Sequence, residues 1–214
     1  MTTAPTSTQV PDSRIKGWRL WLPLTIQVLI LSSIAVPPLM TEITGKTVIL
    51  KTAPVDPYDP MRGYSQTLSY DISRRDTLSK LPGWKELPKE SYGDYLQPNT
   101  SFYIIMQAPK NPDNTSPQPW KPIAIKLALA KTDRQAFRPE TLPPNQIAIK
   151  GKTNSWTVQY GLETYYMPED LRDQVNNEAN TASRNNTSFV EIKVNAEGRA
   201  VPISLWLGKK NYRF

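Results

Sequence analysis

Residues 20–40 read LWLPLTIQVLILSSIAVPPLM and carry no charged side chain. As a helix rising about 1.5 Å per residue they would cover about 31 Å, the thickness of a bilayer's hydrocarbon core. Pro23 falls in the first turn, where a missing N–H does little harm, whereas Pro37 and Pro38 are expected to stop the helix near Val36. Gln27, Ser32 and Ser33 are isolated polar residues of a kind that a span tolerates.

Beyond this segment the period changes from helical to two. Residues 47–50, 67–70, 102–106, 123–127, 147–149 and 156–160 are short β-branched or aromatic runs bounded by Pro, Asn or Gly, and each predicts a strand. FVEIKV at 189–194 alternates apolar and polar positions, and Asn195-Ala196-Glu197-Gly198 turns it back into AVPISLWL at 200–207, which predicts a hairpin. One short helix is expected to open at Pro168-Glu169-Asp170 and run on through LRDQVNNEA, with its acids at the positive end of the dipole. The Pro-rich polar stretches 81–99 and 107–122 read as long loops.

The expected fold is therefore a mainly β (α+β with one short helix) extracytoplasmic domain, preceded by a single N-terminal transmembrane helix. Its division is a disordered cytoplasmic tail at 1–17, the transmembrane helix at 18–41 and the β-rich domain at 44–214. The tail, rich in Thr, Ser and Pro, has no apolar periodicity. Arg14, Lys16 and Arg19 precede the span, Glu42 follows it, and Trp18 and Trp21 suit the headgroup layer. This pattern keeps the N-terminus cytoplasmic and exports the C-terminal domain to the periplasm or its equivalent. Ser33-Ile34-Ala35 also has the spacing of a signal-peptidase site, and cleavage there would leave the domain in the same compartment.

Charge adds little. Lys and Arg number 26 against 19 Asp and Glu, a formal +7, but the excess is scattered rather than gathered along a phosphate track, so no nucleic-acid partner is expected. Arg74-Arg75 and Lys209-Lys210 read as solvated surface. The lack of both Cys and His removes disulfides, thiolate nucleophiles, histidine bases and the usual zinc sites. No cofactor and no metal are expected. Gly45-Lys46-Thr47 and Gly151-Lys152-Thr153 imitate the end of a phosphate-binding loop, yet the glycine that such a loop requires five residues earlier is Met40 in one and Gln146 in the other. Ser155 near Lys152 is a weak nucleophile pair, because nothing there desolvates the Lys. Asp56, Asp59 and Asp71 with Glu42 fit no standard calcium loop, and the Asp-Pro steps fit repeated turns.

Residues 55–73, VDPYDPMRGYSQTLSYDIS, resemble the signature of the GDYXXLXY family of membrane-anchored bacterial proteins. Gly63, Leu68 and Tyr70 align with that signature, while Tyr64 and Ser65 stand where it has Asp and its first Tyr. Asp56, Asp59 and Arg62 flank it, and a second matching block follows in YGLETYYMPE, which carries Tyr160, Gly161, Glu163 and Glu169. The resemblance covers roughly residues 20–207. It implies an N-terminal anchor, a β-rich outer domain and the company of a multi-span membrane protein, but no reaction. As structure, Gly63 permits a turn, Leu68 and Tyr70 share a strand face, and Arg62 suits an acidic turn.

Three functions follow as expectations. The first is a non-enzymatic accessory or interaction partner of a multi-span membrane protein, of unstated oligomeric state. The second is an envelope hydrolase using Asp56, Asp59, Arg62 or Glu163. The third is a small-ligand sensor with a pocket of Trp84, Tyr92, Tyr95, Trp120 and Trp156.

Overall fold

The structure is a computed structural model that describes residues 18–53, 65–90, 95–110, 117–129, 133, 136–154, 157–166 and 168–213. The expected disordered tail lies outside them, as do Asp56, Asp59, Arg62 and Gly63. The chain divides into two compact units, Met1–Pro37 and Pro38–Phe214, described separately below.

Helix α1, Trp18–Thr44, is long and apolar enough to cross a membrane. Its large side chains face outward, with Trp21 68% and Ile34 69% exposed. The expected stop near Val36 does not occur. Pro37 and Pro38 take the amide donors from the carbonyls of Ser33 and Ile34, but proline's fixed φ of about −65° is itself helical, so the chain keeps its direction. The division between the two units falls at this proline pair. The final turns belong to the second unit and close with Gly45 N–H donating to Thr41 O at 2.9 Å.

In the second unit the expected strands appear, except that the one at 67–70 is divided at Leu68, together with several shorter ones. The larger sheet is antiparallel and runs β11-β10-β9-β1-β3. Its members are β1 Lys46–Ala53, β3 Ser69–Tyr70, β9 Ser188–Val194, β10 Ala200–Leu207 and β11 Lys210–Tyr212. Strand β9 buries Val190, Ile192 and Val194, as its alternation predicts. The β9–β10 hairpin turns at Gly198, whose φ of 81° suits the left-handed region. Its register shifts between Pro202 and Ser204, next to a Pro that cannot donate to the ladder.

The second sheet runs β5-β4-β6-β7, with β4 Ser101–Gln107, β5 Lys121–Leu127, β6 Gln146–Asn154 and β7 Thr157–Gln159. One hydrophobic core joins both sheets through Val48, Leu50, Phe102, Ile104, Ile149 and Leu205. The expected helix begins as a 3₁₀ turn, Glu169–Leu171, and becomes α3, Arg172–Arg184, which adds Val175 and Ala182 to the core. A four-residue helix, α2 Arg75–Leu78, was not foreseen. Nor is 81–99 merely a loop: Trp84, Leu87 and Leu96 are buried, and a 3₁₀ turn spans Trp84–Glu86.

Candidate functional site

The predicted strand at 67–70 is broken at Leu68, and that break shows what the signature does. Ser65–Thr67 forms β2 and pairs antiparallel with β8, Thr164–Tyr166, whereas Ser69–Tyr70 pairs with β1. Between them, Leu68 N–H donates to Glu163 O at 2.7 Å. The Leu68 side chain is 6% exposed and that of Tyr70 is fully buried.

The first and second signature blocks exchange tyrosines. Tyr70 OH donates to Leu162 O at 2.7 Å, and Tyr160 OH donates to Ile72 O, also at 2.7 Å. Each phenol thus satisfies a carbonyl of the opposite block. Glu163 Oε1 accepts the Tyr160 N–H at 2.5 Å, and Gly161, with φ of 75°, makes the tight step between them. Burial pushes both phenols well above their ordinary pKa, and the nearby Glu163 carboxylate adds to the push. They are held neutral as donors, which is what this lock requires.

The two imitation phosphate loops also resolve into packing. A Cβ on Gly45 would lie 2.3 Å from Thr41 O, and one on Gly151 would lie 2.8 Å from the Tyr160 ring. That ring meets Phe102 edge-on, with centroids 6.5 Å apart. Thr153 Oγ1 donates to Gln97 O at 2.6 Å and accepts the Thr100 N–H at 2.9 Å, holding the 97–100 segment.

The candidate calcium residues that are described separate: Asp71 lies 3.8 Å from Lys51, and Glu42 lies 3.7 Å from Arg213. Among the described residues no group of three or more acidic side chains gathers to hold a metal. Glu169 opens the 3₁₀ turn before α3, its side chain lying outside the description. Of the pocket aromatics, Trp84 is buried, Trp120 packs on the core under Lys46, and Tyr95 carries Arg75 over its ring at 4.7 Å. Tyr92 and Trp156 lie outside the described residues. Arg74 pairs with Asp76 at 3.9 Å, and Lys210 bonds Glu178 at 2.5 Å. Lys210, Tyr212 and Gln174 together hold the Glu178 carboxyl below its usual range, Lys210 contributing most.

A cleft of ≈ 560 Å³ opens elsewhere. Tyr103, Leu129, Phe137 and Pro139 supply its apolar wall, while Arg138, Glu140 and Glu197 supply its charges. Among the described residues, no signature residue lines it. Alternation along 102–106 puts Tyr103 opposite Phe102 and Ile104, but its meeting with Phe137 and with the hairpin turn is a long-range event without a local signal.

An apolar helix of membrane-crossing length heading an antiparallel β domain, with two blocks interlocked through buried tyrosines, defines the class. The chain belongs to the GDYXXLXY protein family, whose model matches residues 27–205. No curated protein and no solved structure matches it.

Proposed function

We propose that this chain is a single-pass membrane protein, cytoplasmic at its N-terminus. Its β domain stands outside the cytoplasm and acts by contact, as a non-enzymatic accessory to a multi-span membrane protein. The observation that carries this reading is the tyrosine exchange: Tyr70 and Tyr160, one from each block, are buried and each bonded to a carbonyl of the other block, which favours a scaffold role for them. The outward-facing α1 supports the anchor, and Arg14, Lys16 and Arg19 support the orientation. Glu163, a candidate for the hydrolase reading, already accepts a backbone N–H through its carboxylate.

The test is photocrosslinking in the native membrane from probes placed on the domain surface, combined with a reporter fused after Phe214. The expected result is one recurrent multi-span partner and a reporter active only outside the cytoplasm. A reporter active in the cytoplasm overturns the orientation. Turnover of an envelope substrate, lost in Glu163→Gln with the fold intact, overturns the contact reading in favour of an enzyme.

A further inference from the structure

We propose that the cleft beside the β9–β10 turn binds the ethanolamine headgroup and upper acyl chain of a phospholipid from the surrounding membrane. The proposal rests on the membrane-anchor reading. Its volume, ≈ 560 Å³, is that of a small-molecule site, for which about 300–1,000 Å³ is typical. Three observations choose the occupant.

The first is position. Asn195 Nδ2 donates to Thr41 Oγ1 at 3.1 Å, which ties the hairpin turn to the final turns of α1. The next residues of that turn, Ala196 and Glu197, line the cleft. The cleft therefore adjoins the turn that receives Thr41, in the part of α1 that belongs to the second unit.

The second is a rigid apolar wall left partly in water. The Tyr103 and Phe137 rings meet with centroids 5.5 Å apart, and Leu129 is 39% exposed. Gly198 fixes the turn against this wall, because a Cβ there would come within 3.0 Å of both Ala148 O and the Tyr103 ring. A ligand there would gain contact with both rings and with Leu129.

The third is charge. Arg138 and Glu140 stand one residue apart, so their Cα atoms are at most about 7 Å from each other, a separation that suits a joined phosphate and ammonium. The Thr141 N–H and hydroxyl both donate to Arg138 O, at 3.2 and 2.8 Å, and hold the 138–141 turn in shape. Glu197 is partnered by Arg199 at 3.3 Å, which leaves Glu140 as the acid facing the ammonium. A guanidinium takes phosphate oxygens in paired bonds. A primary ammonium donates to a carboxylate, whereas a choline headgroup has no N–H to give.

The full chain is reconstituted in phosphatidylcholine nanodiscs doped with phosphatidylethanolamine that bears a photoactivatable group high on one acyl chain, and the adducts are mapped by mass spectrometry. Adducts are expected on the peptides containing Tyr103, Leu129 and Phe137. Unlabelled phosphatidylethanolamine should compete about tenfold better than phosphatidylcholine, the worth of roughly one charge-assisted bond. Arg138→Glu should cut labelling about tenfold for the same reason, while Glu140→Gln should abolish the preference between the two lipids. Unchanged melting temperatures certify both variants as folded. Adducts confined to 18–44, equal competition by both lipids, labelling indifferent to the two variants, or a partner polypeptide crosslinked in the cleft would each overturn the proposal. Failure of the chain to co-elute with the nanodiscs would instead overturn the membrane anchor on which it rests, so the two failures are told apart.

Discussion

Replacing Tyr70 by Phe removes one oxygen and leaves the ring in place, which makes it a direct probe of the signature lock. The lost bond, from Tyr70 OH to Leu162 O at 2.7 Å, lies where both residues are fully buried, so water cannot take the place of the missing donor. Losing the bond while stranding a buried carbonyl is worth roughly 1–3 kcal/mol, and about 2 kcal/mol is expected here. For a chain of this size that corresponds to a fall in Tm of roughly 4–8 °C. Tyr160→Phe strands Ile72 O in the same way and should match it.

The double variant tests whether the two bonds form one device. Both join the same pair of segments, along with the β2–β8 ladder and the Leu68–Glu163 bond. Loss of either should therefore loosen the other, and the double change should cost about 1 kcal/mol less than the sum of the singles, within the range seen for coupled neighbours. The assay is urea unfolding of the full chain in detergent, followed by near-ultraviolet circular dichroism, with melting curves alongside. A Tyr70→Phe protein within about 0.5 kcal/mol of the parent would refute the lock. Strict additivity would refute the coupling.

Leu68→Ala removes a buried side chain beside the same lock and should destabilise by roughly 2–5 kcal/mol in the same unfolding assay. Gly151→Ala forces a methyl to 2.8 Å from the Tyr160 ring and should lose about 1–3 kcal/mol, which would mark this Gly-Lys-Thr step as packing rather than phosphate chemistry. Both buried phenols have raised pKa values, so the unfolded chain releases their protons first as pH climbs. Their stabilisation is intact below 10.0 and fades from there towards the folded-state values, which a pH series of unfolding curves would reveal as a slope missing from the double Phe variant. Glu178 behaves in the opposite sense: its depressed pKa means that stability is present above 4.5 and lost as pH falls through the folded value. Glu178→Gln should flatten that acid limb.

Much of the fold was legible because it was local. The alternation of 189–194, the turn at 195–198 and the uncharged run at 20–40 each state their structure within one unbroken stretch of sequence. What escaped depended on distant partners. Thr67-Leu68-Ser69-Tyr70 has a strand's composition throughout, yet the claims of β8 on one side and β1 on the other split it at Leu68, and nothing in those four residues names either partner. Likewise 81–99 has a loop's composition, and Trp84, Leu87 and Leu96 become core only through packing with residues distant in sequence. The proline pair at 37–38 misled for a third reason. Proline's fixed φ is itself helical, so a proline pair costs a helix two donors without obliging it to end.

The same distinction separates scaffold from contact surface. Leu68, Tyr70, Tyr160 and Leu162 are buried parts of a lock in which each phenol is already bonded, and a satisfied buried group offers a partner nothing to bind. The departure at Ser65 fits this view, since β2 pairs with β8 from Ser65 onward through backbone groups, which do not depend on the side chain at that position. On the contact function proposed above, specificity belongs to exposed residues that the lock only positions. Tyr103 shows how that works: its strand is held in register on one side by β5 and on the other by β6, whose Gly151 packs against the Tyr160 ring. The signature thereby steadies the strand that presents Tyr103 to the cleft without touching the cleft itself. A change in the lock should alter stability first and recognition only through it, whereas a change at Phe137 or Arg138 should alter recognition in a protein that melts normally.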